Sequence, residues 1–134
     1  MSTRHERGVL DTSVVVDLDL LPEEKLPLQS AIAAVTLAEL SAGLHTTSDA
    51  VERGARLARL QFVEANLDSL PFDAAAARRY GQLIALIVAA GQSPRPRRLD
   101  LMIAATALVN DLPLYTRNAR DFSAIEAAVT IVAV

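Results

Sequence analysis

Short apolar runs alternate along this chain with stretches of helical length, and that alternation restricts its fold more than any other feature. Residues 7–10, 30–35, 69–72, 112–116 and 129–134 read as strands of four to six residues. Residues 12–21, 36–43, 48–66, 73–91 and 99–109 read as helices between them. Pro22 stops the first helix, and Gly43, which can take a left-handed C-terminal conformation, closes the second. In the third, Val51, Ala55, Leu57, Ala58, Leu60 and Phe62 recur with a period of about 3.6 residues, behind a cap at Ser48 or Asp49. Asp73 caps the helix that runs to Gly91. Strands separated by helices of this length predict a mainly parallel sheet covered on both faces, a three-layer α/β/α sandwich.

The 134 residues suit one domain with a substantial core, and residues 1–6 are expected to form a flexible arm before it. An apolar share of 51% against 22% charged excludes a disordered chain. No cysteine is present, which excludes disulfides, zinc–thiolate sites and thiol nucleophiles and agrees with a reducing cytoplasm. The longest apolar stretch, residues 83–90, is too short to span a bilayer, and residues 1–7 lack a signal-peptide core. A cytoplasmic location without membrane contact is therefore expected. The formal charge of −3 excludes a broad basic face, so any nucleic-acid contact must be local.

Four acids stand where a strand gives way to a helix or where a helix opens: Asp11, Glu39, Asp100 and Asp121. Each has an ordinary structural reading. Asp11 fits a cap for the helix beginning near Thr12, and Glu39 follows Thr36 at capping-box spacing. Asp100 fits a cap before Leu101, and Asp121 fits a cap at Phe122 or a partner for Arg117 or Arg120. Together they say more. Ligands of parallel sheets bind beyond the carboxyl ends of the strands, and Asp11, Glu39, Asn118 and Asp121 all follow strand ends. Carboxylates gathered there suit Mg²⁺ or Mn²⁺, hard ions that take oxygen ligands and keep several waters. His5 and His45 have no motif around them, which disfavours histidine acid–base hydrolysis.

The segments Leu10-Asp11-Thr12-Ser13-Val14, Glu39-Leu40-Ser41-Ala42-Gly43, Asp100-Leu101-Met102-Ile103-Ala104-Ala105-Thr106-Ala107 and Thr116-Arg117-Asn118-Ala119-Arg120-Asp121-Phe122 resemble, in order and spacing, the four motifs of PIN-domain nucleases. The resemblance is closest to VapC-type toxins of toxin–antitoxin systems. It implies a PIN-like fold and a Mg²⁺-dependent endoribonuclease, with Mn²⁺ as a possible substitute. Asp11, Glu39, Asp100 and Asp121 would be its acidic quartet, Asp11 and Asp100 the metal ligands, and Thr12 and Asn118 supporting polar groups. Either Asn118 or Asp121 would face the metal. The resemblance further implies an RNA substrate, a homodimer and a cognate antitoxin whose C-terminal segment covers the site. Val14, Val15, Val16, Leu18, Leu20 and Leu21, with Leu83, Leu86 and Ile87, are candidate surfaces for these partners or else core.

Residues 92–98 read as a loop, with two prolines and with Arg95, Arg97 and Arg98 just ahead of Asp100. The arginines are either solvated or contacts for RNA phosphates. Two other functions compete: a PIN fold that only binds RNA or protein, and a Mg²⁺-binding phospho-acceptor receiver domain. The receiver needs a lysine after a late strand, whereas Lys25, the sole lysine, lies early. A dinucleotide site lacks its Gly-x-Gly-x-x-Gly.

Overall fold

In the computed structural model, which describes residues 4–134, five parallel strands carry the chain through its centre in one direction and the helices return it. They are β1 (Arg7–Leu10), β2 (Gln29–Ala33), β3 (Asp68–Leu70), β4 (Leu114–Thr116) and β5 (Ile131–Ala133), in the spatial order β3-β2-β1-β4-β5. The helices are α1 (Thr12–Val15), α2 (Ala34–Gly43), α3 (Ala50–Asn66), α4 (Ala74–Ala89) and α5 (Arg98–Val109). After β1 the chain adds strands on one side of it, and β4 then returns to the other. Neighbouring β1 and β4, paired Val9 to Leu114 and Leu10 to Tyr115, therefore flank the switch point of the sheet.

Successive side chains of a strand point to opposite faces, and here each face meets its own core. Val9, Ala33 and Leu114 join Leu83 and Ile87 of α4, the apolar side of α5, Phe122, Ile125 and Val129. Their neighbours Leu10, Ile32 and Tyr115 join Val14, Val15, Leu40, Leu60 and Val63 on the other face. This is the expected α/β/α sandwich, with every strand pairing parallel among the described residues. Among them, no helix is long and apolar enough to cross a membrane.

The element ends depart from the sequence expectation for local reasons. The expected 12–21 helix is a single turn followed by 3₁₀ turns at Leu18–Leu20 and Glu23–Lys25. Val14, Val15 and Val16 are β-branched and poor at prolonging a helix, and burial of Val14 and Val15 is met within one turn. β2 ends at Ala33 rather than residue 35, because α2 begins at Ala34. Pro71 and Pro113 have no N–H to give a ladder, so β3 stops at Leu70 and β4 starts at Leu114. Residues 92–98 are not all loop: a 3₁₀ turn spans Arg95–Arg97 and α5 begins at Arg98.

Of the expected N-terminal arm, residues 1–3 lie outside the described residues, while residues 4–6 are tied down. Arg4 donates through Nε to Leu26 O at 2.8 Å and through Nη2 to Glu23 O at 3.0 Å. His5 O and Glu6 O accept from the amides of Leu28 and Gln29. Among the candidate partner surfaces, Val14, Val15, Leu83 and Ile87 are core, whereas Val16, Leu20 and Leu86 are exposed.

Gly8 lies in β1 beneath the Tyr115 ring, and a Cβ there would sit 2.6 Å from Tyr115 Cε1. Tyr115 is buried and cannot retreat. Gly8→Ala should therefore lower stability by about 1–3 kcal/mol, a fall in Tm of roughly 3–10 °C. Gly54 lies within α3 with nothing within 4 Å of the same added atom, so Gly54→Ala should raise Tm instead. Thermal melts of the two variants check both signs.

Candidate active site

The chain leaves β1 at Asp11, whose amide still pairs across to Tyr115 O at 2.8 Å and whose carbonyl accepts from Val14 N and Val15 N. Its side chain makes no helix cap. Instead Asp11 Oδ2 accepts from Ser13 Oγ at 2.8 Å and from Thr116 Oγ1 at 2.9 Å. Asp11 is only 3% exposed, and its other oxygen, Oδ1, is buried without a hydrogen-bond partner. A buried carboxylate oxygen in that state is unfavourable unless something electropositive meets it.

Glu39 is not a capping-box residue. α2 begins at Ala34, so Thr36 is already inside the helix, and Glu39 Oε1 accepts from Thr12 Oγ1 at 2.8 Å. With its proton committed to Glu39, Thr12 Oγ1 becomes the acceptor in its 3.1 Å contact with the buried Thr36 hydroxyl. Thr12 thus holds the carboxylate of α2 against the exit of β1.

Asp100 is the third residue of α5, whose N-cap position belongs to Arg97 and has no side-chain cap. Its carboxyl pKa is pushed from 3.8 to about 6, first by burial and then by the charges of Asp11, Glu39 and Asp121, against a lowering by Arg97. Acids from three other segments thus lie near enough to Asp100 to act on it at the carboxyl edge of the sheet. Asp121 lies in a 3₁₀ stretch, Ala119–Ile125. Its partner is Arg97, at 3.6 Å from Nη2 to Oδ1, with Arg97 Nη1 also donating to the Asp121 carbonyl. Arg117 instead pairs with Asp17 at 2.9 Å. Asn118 takes part through its backbone, its N–H donating to Thr116 Oγ1 at 3.0 Å.

The three arginines of the 92–98 segment diverge. Arg97 serves Asp121, while Arg95 and Arg98 line a hollow of about 470 Å³ together with Glu39 and Asp100. A second hollow of about 490 Å³ holds Thr12 and Glu39 with Arg56 and Arg59 of α3. Sequence reasoning missed four of these participants. Ser13 looks like an ordinary helix-start hydroxyl and Thr116 like a strand-end one until β4 is placed beside β1. Arg56 and Arg59 look like the solvated side of an amphipathic helix.

Among the described residues, no three histidine or acidic side chains are gathered tightly enough to enclose a metal ion by themselves. The acids form an open set. Asp11 Oδ1, a buried carboxylate oxygen without a hydrogen-bond partner, has the donor chemistry that a hard cation takes.

Parallel strands with carboxylates from four segments at one edge define an α/β/α protein with an acidic site at its topological switch. The sequence matches the PIN domain over residues 8–128, and the chain belongs to that family. It is 38% identical over 134 residues to Ribonuclease VapC5 of Mycobacterium tuberculosis (strain ATCC 25618 / H37Rv), covering 98% of this chain and 96% of the relative. Its structure is similar, with a TM-score of 0.85 and 37% identity, to VapBC-5 from Mycobacterium tuberculosis, a member of the VapBC family of toxin–antitoxin systems. That likeness covers 96% of this chain and 99% of the other. DNA-bound VapBC from Salmonella typhimurium matches with a TM-score of 0.76 and 28% identity, over 95% of this chain and 96% of its own.

The raised Asp100 pKa sets a sign for stability in metal-free buffer. An acid whose folded pKa exceeds its unfolded value destabilises the fold above the folded pKa, and the penalty vanishes below the unfolded one. Asp100→Asn should therefore stabilise the fold in EDTA at pH 7 by about 1 kcal/mol after solvent screening, read as a rise in Tm. The gain should shrink as pH falls through about 6 and disappear below 3.8. Melts of the variant and the parent across that range measure it, and a gain that persisted at pH 3.5 would break the link to ionisation.

Proposed function

We propose that this chain is a metal-dependent endoribonuclease toxin held in check by a cognate antitoxin. The observation that carries the reading is the approach of Asp11, Glu39 and Asp121 to Asp100, with an unpartnered, buried Asp11 Oδ1 among them. The ribonuclease name of a relative 38% identical over nearly its whole length supports the RNA substrate. The toxin–antitoxin complex whose fold it matches supports the partner.

Asp11 and Asp100 hold Mg²⁺ in this reading, with Mn²⁺ as a substitute. When bound, the ion supplies charge stabilisation at the scissile phosphate and a water of lowered pKa for in-line attack. The protein's own groups do the placing. Thr12 fixes Glu39 through Oε1, which leaves Oε2 to accept a proton from the attacking water. Asp121 adds negative charge and anchors Arg97, whose guanidinium also acts on Asp100. Arg95 and Arg98 face the hollow beside Glu39 and Asp100 and take RNA phosphates there. A homodimer in the cytoplasm completes the proposal.

Purified protein should cleave RNA with Mg²⁺ or Mn²⁺ and stop with EDTA. Because loss of a group that merely orients a ligand typically lowers activity about 10–100-fold, Asp11→Asn and Asp100→Asn, which remove ligands, should exceed 100-fold. RNA binding without cleavage under any metal would favour the binding module, and cleavage indifferent to chelation would overturn the metal role.

Arg95→Ala combined with Arg98→Ala should weaken RNA binding and reduce the slope of log K against log salt by about 1.4, roughly 0.7 for each lost phosphate contact on a single strand. Arg97→Ala should change that slope less, because its guanidinium is engaged by Asp121. Binding titrations at several salt concentrations test this, and an unchanged slope in the double variant would make the pair solvated bystanders.

A further inference from the structure

We propose that Ser13 and Thr116 are positioning residues that decide which oxygen of Asp11 is offered to the metal. The inference rests on the metal-dependent reading above and concerns how the ligand atom is chosen.

A hydroxyl has one proton to donate, and the direction of that proton follows from what fills its acceptor side. Arg117 N–H donates to Ser13 Oγ at 3.1 Å, and Asn118 N–H donates to Thr116 Oγ1 at 3.0 Å. Main-chain amides that cannot rotate thus occupy an acceptor position on both hydroxyls. Each proton is left to point at Asp11 Oδ2, at 2.8 Å from Ser13 and 2.9 Å from Thr116. The two hydroxyls also approach each other at 3.3 Å, but that contact is longer than either bond to Asp11. Amide, hydroxyl and carboxylate form two short chains that polarise in the same sense.

The consequence is an asymmetric carboxylate. Oδ2 is fully engaged and Oδ1 has no partner, although both belong to a residue only 3% exposed. Rotation of the carboxylate would exchange the two oxygens only by breaking both hydroxyl bonds at once. The arrangement therefore presents one fixed oxygen for single-point ligation and keeps the charge of the other satisfied. It also links the start of the 117–118 segment to Asp11, so the edge of β4 and the exit of β1 position the ligand together.

Four variants of the full chain test this, with Mn²⁺ binding followed by electron paramagnetic resonance and Tm measured in EDTA. Thr116→Val and Ser13→Ala should each weaken Mn²⁺ binding by about tenfold. They should raise the Mn²⁺ concentration needed for half-maximal RNA cleavage by the same factor, while leaving KM for RNA at saturating Mn²⁺ unchanged. Thr116→Ser keeps the hydroxyl and should restore Mn²⁺ affinity to within about threefold of the parent, where Thr116→Val does not. Should Thr116→Val melt below the assay temperature, Ser13→Ala at its half-buried site carries the decision.

Asp11→Asn separates the two levels of the argument. If it loses Mn²⁺ binding while folded Thr116→Val and Ser13→Ala bind as the parent does, the positioning role is overturned and the metal reading stands. If Asp11→Asn itself binds Mn²⁺ normally, the metal reading falls and the positioning role falls with it.

Discussion

The pairing of β1 with β4 is the contact on which the site depends. Those strands are far apart in sequence, and their register, Val9 to Leu114 and Leu10 to Tyr115, brings Asp11 and Thr116 out of the sheet as neighbours. One residue of slip would reverse every side chain on β4. Leu114 would leave the α4–α5 core, Tyr115 would leave the opposite one, and Thr116 would turn from Asp11. Because both faces are buried, such a slip is heavily penalised. Two hydrophobic cores thus fix the position of one hydroxyl.

Charge at the carboxyl edge is managed in two different ways. Asp11 is held by neutral donors, Ser13 and Thr116, with no cation bonded to it in the described structure. Asp121 is held by the guanidinium of Arg97. Asp100 has neither arrangement, and burial together with three neighbouring acids raises its pKa to about 6. Burial and like charge therefore act together on Asp100, with Arg97 offsetting them only in part. The fold tolerates this because the strained group stands in the first turn of α5, where the amide ends of the helix favour negative charge.

The sequence shows the layers and the four acids because these are local or periodic facts. Alternation of strand and helix needs only a window of residues, and an acid directly after an apolar strand needs no partner to be noticed. The cap readings of Asp11 and Glu39 fail for a reason that windows cannot reveal. α2 starts two residues before Thr36, and the Asp11 side chain turns to a hydroxyl 105 positions away. Ser13, Thr116 and the Arg97 partnership with Asp121 depend on register and on the path of residues 95–121, which only tertiary packing determines. The strand ends at Leu70 and Leu114, by contrast, are legible once Pro71 and Pro113 are weighed for their missing N–H groups.

A chain of formal charge −3 is a poor collector of polyanions, and its acidic site is locally worse. Placement of the arginines answers this. Arg95 and Arg98 stand beside Glu39 and Asp100 on one flank, while Arg56 and Arg59 stand beside Thr12 and Glu39 on the other. Arg56 is already bonded to Glu52, Gly43 O and Thr46, so its charge is held in place rather than free to swing. Both flanks therefore offer cations beside the acids, although Asp17 and Glu52 share the hollow of Arg56 and Arg59. In the proposed reading the acids would repel a strand until a divalent ion offset them, and the arginines would determine where the strand lies. Metal and RNA would then bind with mutual reinforcement, because each supplies the opposite charge that the other lacks.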